Sequence, residues 1–186
     1  MNVYDFDKTI YKSDSTADFY LFSLRRHPKI LALLPSLLKA YLRFYIFRKG
    51  SKTEFKEKMM RFVTKVKMEK DLEDFWKTHK RKIKNFYLEQ KQDDDVIISA
   101  SPRFLLEPIC RELGIRHLLA SEVSPKTGKF SGLNCHGEEK VRRFRKEFQN
   151  AQIDEFYSDS YSDTPLARIS TTAFIVKGDK INPWKF

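Results

Sequence analysis

The chain has 186 residues, of which 41% are hydrophobic and 33% are charged, with only 6 Gly and 7 Pro. This composition excludes a disordered chain and predicts one globular core with room for a small insertion. The two cysteines, Cys110 and Cys135, form neither a disulfide framework nor a zinc-binding spacing. Residues 1–5 show no signal-peptide pattern, so we expect a cytoplasmic protein with reduced thiols.

The formal net charge of +11 is concentrated in one part of the chain. Residues 25–91 contain 20 Lys and Arg against 7 Asp and Glu, so they carry the whole positive excess. Such a local excess indicates an anionic surface or partner at this segment. A solvated helical face rich in lysine is the other interpretation, and the charge count alone does not choose between them.

The first predicted strand, residues 3–6, leads into two carboxylates. Asp5 and Asp7 are two positions apart, and side chains at i and i+2 share one face of a strand. Ligands bind at the carboxyl ends of strands in open α/β sheets. A pair of carboxylates there suits Mg²⁺, because the cation relieves their repulsion and prefers hard oxygen ligands. An ordinary acidic turn is the alternative at this point.

Residues 14–92 carry no strand pattern and are rich in helix-forming residues. The pattern predicts a helix from about residue 17 and further helices at about residues 30–47, 53–66 and 72–87. Ser51 followed by Glu54 predicts a capping box at the start of the third of these. We therefore predict an all-helical insertion after the first strand.

The predicted helix at residues 30–47 contains only two charged residues, Lys39 and Arg43. Its length and Pro35 argue against a membrane-spanning helix. Basic residues on both sides and aromatic residues near one end favour a helix that lies in a membrane interface. A helix buried in a small bundle has a similar composition, and both interpretations stay open.

Residues 93–186 alternate between strand and helix patterns, which predicts a parallel sheet. Strands are predicted at residues 96–98, 118–123, 153–157 and 172–176, with a hairpin return at residues 130–133 and helices at residues 103–113 and 137–148. The first of these strands delivers Ser99 to the start of a helix, where free N–H groups attract an anion. Asp159 and Asp163 follow a later strand, and Lys140 lies in the helix before it. The strand ends thus offer carboxylates, a hydroxyl and a lysine to one crevice.

These residues form four motifs in chain order. Asp5-Phe6-Asp7-Lys8-Thr9 matches a DxDxT motif, Ile97-Ile98-Ser99 an apolar strand that ends in Ser or Thr, and Lys140 a basic motif. The acidic motif at residues 158–163 has Ser158 where Gly is usual. The chain therefore resembles a haloacid dehalogenase (HAD) superfamily phosphatase of the phosphoserine phosphatase subfamily. The resemblance implies an α/β fold with a Rossmann-like parallel-sheet core, residues 1–13 and 93–186, and an all-helical cap, residues 14–92.

The resemblance also implies a role for each motif residue. Asp5 is expected to attack phosphorus and form an aspartyl-phosphate, while Asp7 protonates the leaving group and later activates water. Mg²⁺ is expected on Asp5, the Asp7 backbone carbonyl and Asp159, with Asp163 supporting it. The remaining implied roles are phosphate binding by Ser99, Lys140 and the backbone near Lys8 and Ala100, and orientation of the nucleophile's loop by Thr9. His136 is a rival to Lys140 for the basic position.

The substrate is the least determined feature. Asp14 occupies the position where phosphoserine phosphatases recognise the substrate ammonium with Glu, and Arg103 is a second candidate contact. The basic, apolar insertion and the segments 135–141 and 157–163 are similar to the phosphatidylglycerophosphate phosphatase branch. This likeness implies a lipid headgroup as substrate and an anionic membrane surface as partner of residues 30–47, on the inner face of the membrane. The alternatives are a soluble metabolite such as phosphoserine and, from another class, a non-catalytic anion-binding module; we expect no nucleic-acid partner.

Overall fold

The computed structural model describes residues 1–49 and 52–186, with a six-stranded sheet at its centre. The order of the strands is β3-β2-β1-β4-β5-β6. All neighbours pair in parallel except β6, which runs antiparallel to β5 at one edge. The strands are β1 Val3–Tyr4, β2 Val96–Pro102, β3 His117–Ser121, β4 Ile153–Ser158, β5 Ser170–Lys177 and β6 Lys180–Pro183. The predicted α/β parallel-sheet fold is confirmed, although β6 was not predicted.

Helices cover both faces of the sheet and are the main elements among the described residues between β1 and β2. The α-helices are α1 Ser15–Arg26, α2 Leu34–Tyr41, α3 Lys52–Met60, α4 Met68–His79, α5 Asn85–Gln90, α6 Arg103–Glu112, α7 Glu138–Phe148 and α8 Thr164–Ala167. Short 3₁₀ turns at Pro28–Leu33, Arg61–Lys65, Lys80–Lys82 and Tyr161–Asp163 and a π-helical turn at Leu42–Ile46 join or extend them. The capping box predicted at Ser51 lies outside the described residues.

An apolar layer packs on each face of the sheet. Successive side chains of a strand point to opposite faces, so they alternate between the two layers. Val96 and Ile98 of β2 pack into the layer under α7 and α8, whereas Ile97 packs into the layer shared with α6 and the insertion. Phe144 of α7 and Leu106 of α6 are fully buried, one in each layer. Because β1 lies between β2 and β4, the residues that follow it are at the centre of the sheet edge.

The chain leaves the core and returns to it at two adjacent segments. Tyr11 forms an antiparallel bridge with Ile83, and the Lys12 N–H donates to the Lys82 carbonyl at 2.9 Å. The predicted helix at residues 72–87 is therefore interrupted by extended chain before α5. The ring of Tyr87 in α5 packs edge-on against Tyr4 of β1 at 5.0 Å. The helix α5 thus contacts the core, although the predicted cap boundary at residue 92 assigns it to the insertion.

Residues 34–47 lie at the surface of the insertion. Neither α2 nor the π-helical turn contains a buried residue, and Leu38, Ile46 and Phe47 are 59%, 61% and 64% exposed. The interpretation of this segment as a helix buried in a bundle is therefore wrong beyond Ile30, which is buried. Within residues 1–49 and 52–186, none of the helices has both the length and the apolar character needed to cross a bilayer.

Candidate active site

Three neighbouring strands bring the predicted polar residues together. Asp5 and Asp7 follow β1, Ser99 lies in β2, and Asp159 follows β4. The parallel registers align the ends of the three strands at one edge of the sheet. The helix α7 adds Lys140 from the side. With Asp163, which follows Asp159 in the chain, the edge has four acidic side chains. They lie near the buried ammonium group of Lys140.

Lys140 is the centre of this cluster. Its Nζ donates to Asp5 Oδ1 and Asp163 Oδ2, each at 2.7 Å, and its side chain is 2% exposed. Burial disfavours the charged lysine, but the two carboxylates outweigh it and raise the pKa of Lys140. Burial raises the pKa of Asp5 to about 7, although Lys140 opposes this rise. Lys140 thus lies within hydrogen-bond distance of Asp5, whereas His136, its rival for the basic position, is exposed.

Asp7 lies beside Asp5 but bonds to a different set of groups. The Ser15 N–H donates to Asp7 Oδ1 at 2.7 Å, and the Ser101 hydroxyl donates to Asp7 Oδ2. Burial, with a smaller contribution from the Asp14 carboxylate, raises the pKa of Asp7 to about 6. A carboxyl group that titrates near neutrality can both donate and accept a proton. This environment suits the predicted acid–base role.

The acidic motif after β4 contains an unusual hydrogen bond. The Ser158 hydroxyl donates to Asp163 Oδ2 at 2.8 Å, so the serine that replaces the usual glycine helps to hold this carboxylate. The other oxygen of Asp163, Oδ1, is buried and has no partner in the described part of the chain. Asp159 is partly buried, and burial raises its pKa.

These residues fit a hydrated divalent cation. Lys140 cannot balance the carboxylates of Asp5, Asp7, Asp159 and Asp163, and an unpaired buried oxygen calls for a water or cation nearby. No group of three or more His, Cys, Asp or Glu side chains in residues 1–49 and 52–186 is arranged to hold a metal. The predicted Mg²⁺ site does not require three such side chains, since it uses two carboxylates and one backbone carbonyl.

The predicted phosphate-binding groups are only partly available. Ser99 is buried, and its hydroxyl accepts the Ser101 N–H at 3.1 Å. Lys8 adopts a left-handed conformation with φ of 58°, and its N–H donates to the Ser13 carbonyl at 3.0 Å. A phosphate contact at this amide therefore requires the loop to rearrange. Thr9 is placed as predicted, because its hydroxyl donates to Asp5 Oδ2 at 3.3 Å.

A cavity of about 280 Å³ lies beside Asp7 and is lined by residues of both the core and the insertion. The core contributes Asp7, Ala100 and Ser101 to its lining, among others, and Asp14 lines it from the start of the insertion. The insertion contributes Tyr45, Phe55, Lys56, Met59 and Met60. Asp14 thus faces the cavity, although one of its oxygens also caps α1 by accepting the Ala17 N–H at 2.9 Å. Arg103 is not brought into this cavity, because it lies on the other side of α6 and pairs with Glu122.

Lys84 is a site residue that the sequence did not indicate. Its side chain is buried, and Nζ donates to the Lys8 carbonyl at 2.8 Å and to the Gly178 carbonyl at 2.6 Å. It therefore fixes the loop of residues 5–9 at Lys8, the residue with positive φ. No sequence signal distinguishes it from the other lysines of the basic segment, because its partners are backbone atoms distant in sequence.

Comparison with known proteins supplies independent evidence. The model of the family described as haloacid dehalogenase-like hydrolase matches residues 3–168. A probable phosphatase of Mycobacterium tuberculosis is 32% identical over 94 residues, which cover 47% of this chain and 33% of that protein. The chain thus spans about a third of the length of this curated relative.

Two solved structures have a similar fold. A protein of unknown function from Bordetella pertussis has a TM-score of 0.73 at 20% identity, over 93% of this chain and 87% of that one. A phosphoserine phosphatase that holds a phospho-aspartyl intermediate analogue has a TM-score of 0.54 at 15% identity, over 92% and 83% of the two chains. At these identities the likeness shows the fold alone.

Proposed function

Because this chain belongs to the haloacid dehalogenase-like hydrolase family, we propose that it is a Mg²⁺-dependent phosphomonoesterase. The observation that carries the proposal is the pairing of Asp5 with Lys140 near Asp7. Asp7 in turn lines the cavity. A nucleophile, a fixed cation and an acid–base group at one strand edge are the parts that phosphoryl transfer to a carboxylate requires.

The chemistry divides between the two carboxylates. An Asp5 oxygen forms a bond to phosphorus while the bond from phosphorus to the ester oxygen breaks, and Asp7 gives its proton to that oxygen. The aspartyl-phosphate on Asp5 is then hydrolysed by water, from which Asp7 takes the proton. Lys140 orients Asp5 and offsets negative charge that develops on the phosphoryl oxygens.

The groups that would hold Mg²⁺ are Asp5, the backbone carbonyl of Asp7 and Asp159, with Asp163 acting through water. When bound, the cation reduces the repulsion between the attacking carboxylate and the phosphate dianion. The unpaired oxygen of Asp163 supports this assignment.

The proposed substrate is a membrane-proximal phosphate such as a phospholipid headgroup. Support comes from the exposed apolar side chains of residues 34–47 and from residues 25–49, which contain seven Lys and Arg but no Asp or Glu. Such a surface binds an anionic leaflet through apolar burial and charge attraction together. The protein would then act as a peripheral enzyme on the cytoplasmic face. A soluble phosphorylated metabolite is the second candidate, favoured by the presence of Asp14 in the cavity.

The reaction is tested with p-nitrophenyl phosphate and Mg²⁺. We expect Asp5→Asn to lower turnover by about 10⁴-fold or more, because the amide cannot attack phosphorus. Asp93→Asn, at a carboxylate that is 90% exposed, is the matched control and should retain full activity. Full activity in Asp5→Asn, or no turnover by the unmodified enzyme, would contradict the proposal.

Membrane binding is tested by sedimentation with phosphatidylglycerol vesicles at low and high salt, and with phosphatidylcholine vesicles. Phe47→Asp should reduce binding to anionic vesicles, whereas Leu133→Asp, at a residue of the core that is 66% exposed, should not. If the unmodified protein does not sediment with anionic vesicles at low salt, the soluble-metabolite alternative is favoured instead.

A further inference from the structure

The insertion contains an apolar groove of about 610 Å³ between α2 and α3. Leu34 and Leu38, which line it, are 42% and 59% exposed, so the groove is open to its surroundings. Its main lining residues are Leu34, Leu37, Leu38, Tyr41, Phe55 and Met59. The Tyr41 hydroxyl is the one polar side-chain group among the described residues that line it. A polar ligand would therefore find almost no hydrogen-bonding partner there.

The groove adjoins the cavity beside Asp7. Phe55 and Met59 line both spaces. The ring of Phe55 contacts that of Tyr45 at 5.4 Å, and Tyr45 lines the cavity together with Asp7. The lining thus changes from acidic and hydroxylated near Asp7 to almost entirely apolar near Leu38. This order of surfaces matches a molecule with a phosphate at one end and a hydrocarbon chain at the other.

The charge around the groove complements an anionic amphiphile. Lys39 and Arg43 belong to the same helical segment as the groove residues and line a neighbouring surface with Lys49 and Lys58. Glu54 is the one acidic residue among the described residues of this surface, which therefore has a net positive charge. A basic surface beside an apolar groove attracts anionic amphiphiles and disfavours cationic ones.

We propose that this groove binds the hydrocarbon chain of the substrate, an amphiphilic phosphomonoester, while its phosphate lies beside Asp5 and Asp7. The inference rests on the proposed phosphatase function and adds the class of substrate. It differs from membrane docking because the chain is held by a single protein molecule in the absence of any bilayer. Each methylene that enters the groove leaves water, so affinity should increase with chain length.

The test uses alkylphosphonates, which carry a phosphate-like head but resist hydrolysis, at concentrations where they are monomeric. Their affinity for the Mg²⁺-loaded enzyme is measured by calorimetry from butyl- to octylphosphonate. We expect about a twofold gain per methylene, and about tenfold or more over the series, in an open groove. In Leu38→Asn the gain should fall below about threefold. Leu42→Asn is the matched control, because Leu42 is a 39% exposed residue of the same helical segment that lies outside the groove lining.

The outcomes separate the inference from its premise. Affinity that does not depend on chain length, or an equal loss in both variants, overturns the groove assignment. In another outcome, sedimentation shows that Leu38→Asn converts a dimer into a monomer while the affinity for alkylphosphonates does not depend on chain length. That result would assign the groove to a second copy of the chain and would also overturn the proposal. Turnover of p-nitrophenyl phosphate is measured separately on the same preparations. Its absence would reject the phosphatase proposal, whereas the binding series still decides the groove.

Discussion

The sheet edge that carries the candidate site buries charged groups, whereas the surface of the insertion exposes apolar groups. At the edge, charged groups are buried, and Lys140 and Asp163 are almost inaccessible. On the insertion, apolar groups are exposed, as Ile46 and Phe47 show. Buried charges are stable only when they are paired, whereas exposed apolar groups persist when something outside the chain covers them. Lys140 therefore pairs Asp5 and Asp163 within the chain, although Asp163 Oδ1 is left for the proposed cation or a water, and the apolar surface of the insertion is left for the proposed ligand or membrane.

The largest effect is expected when the ammonium group of Lys140 is removed from the sheet edge. Lys140→Met leaves Asp5 and Asp163 buried without their shared partner, so we expect the free energy of unfolding to fall by about 3–5 kcal/mol. Turnover should fall by about 10³-fold. Urea unfolding and p-nitrophenyl phosphate assays measure the two effects. An unfolding free energy within 1 kcal/mol of the unmodified protein would contradict the pairing.

A smaller effect is expected at Lys84, which acts on the catalytic loop through backbone carbonyls. Lys84→Met should lower kcat by about 10- to 100-fold with little change in KM, because the bonds to Lys8 and Gly178 position the loop rather than bind substrate. Lys84→Arg should restore part of the loss. Lys91→Met is the control, since Lys91 also donates to a carbonyl but is exposed and remote from the loop. A loss of stability with unchanged kcat would show a purely structural role.

The ion pairs of Glu139 in α7 should make the free energy of unfolding depend on pH. Hydrogen bonds from Arg142, then from Arg143, lower the pKa of Glu139 to about 2. A carboxyl group whose pKa is lower in the folded state stabilises the fold above its unfolded pKa of 4.5, and this contribution disappears as pH falls from 4.5 towards 2. Glu139→Gln should therefore cost about 1–2 kcal/mol at pH 7, and the difference should shrink by pH 3. Urea unfolding at the two pH values measures it.

The matched control for this titration is Glu138→Gln, at the exposed neighbour of Glu139 in the first turn of α7. It should change the unfolding free energy by less than about 0.5 kcal/mol at either pH. A difference between Glu139→Gln and the unmodified protein that stays constant with pH would show that the arginine contacts do not lower the pKa of this group.

The smallest effect on stability is expected at the insertion surface. Phe47→Ala should change the unfolding free energy by less than about 0.5 kcal/mol, because the side chain is 64% exposed. Phe144→Ala, at a fully buried ring of α7, should cost about 3–5 kcal/mol. Chemical unfolding of both variants compares the two environments with the same substitution. A loss above about 2 kcal/mol for Phe47→Ala would mean that the ring packs within the chain.

The central strands and the cluster of Asp5 and Asp7 at a strand end could be predicted because their signals are local. Apolar runs bounded by turns indicated β1, β2 and β4, and the spacing of Asp5 and Asp7 placed both at a strand end. β6 was missed because Lys180–Pro183 is an exposed edge strand with no apolar pattern of its own. Residues 30–47 were predicted as one continuous α-helix, but only Leu34–Tyr41 is α-helical. Pro28–Leu33 is a 3₁₀ turn and Leu42–Ile46 a π-helical turn.

The sequence by itself determined the order of the motifs, the parallel sheet and the positions of Asp5, Asp7, Ser99 and Asp163, because these depend on patterns a few residues long. Only the tertiary structure decided which groups meet. It joined Lys140 to Asp5 over 135 positions and Lys84 to the Lys8 carbonyl over 76, and it left residues 34–47 exposed. These outcomes depend on long-range packing and on pairing of buried charge, neither of which a local pattern of residues encodes.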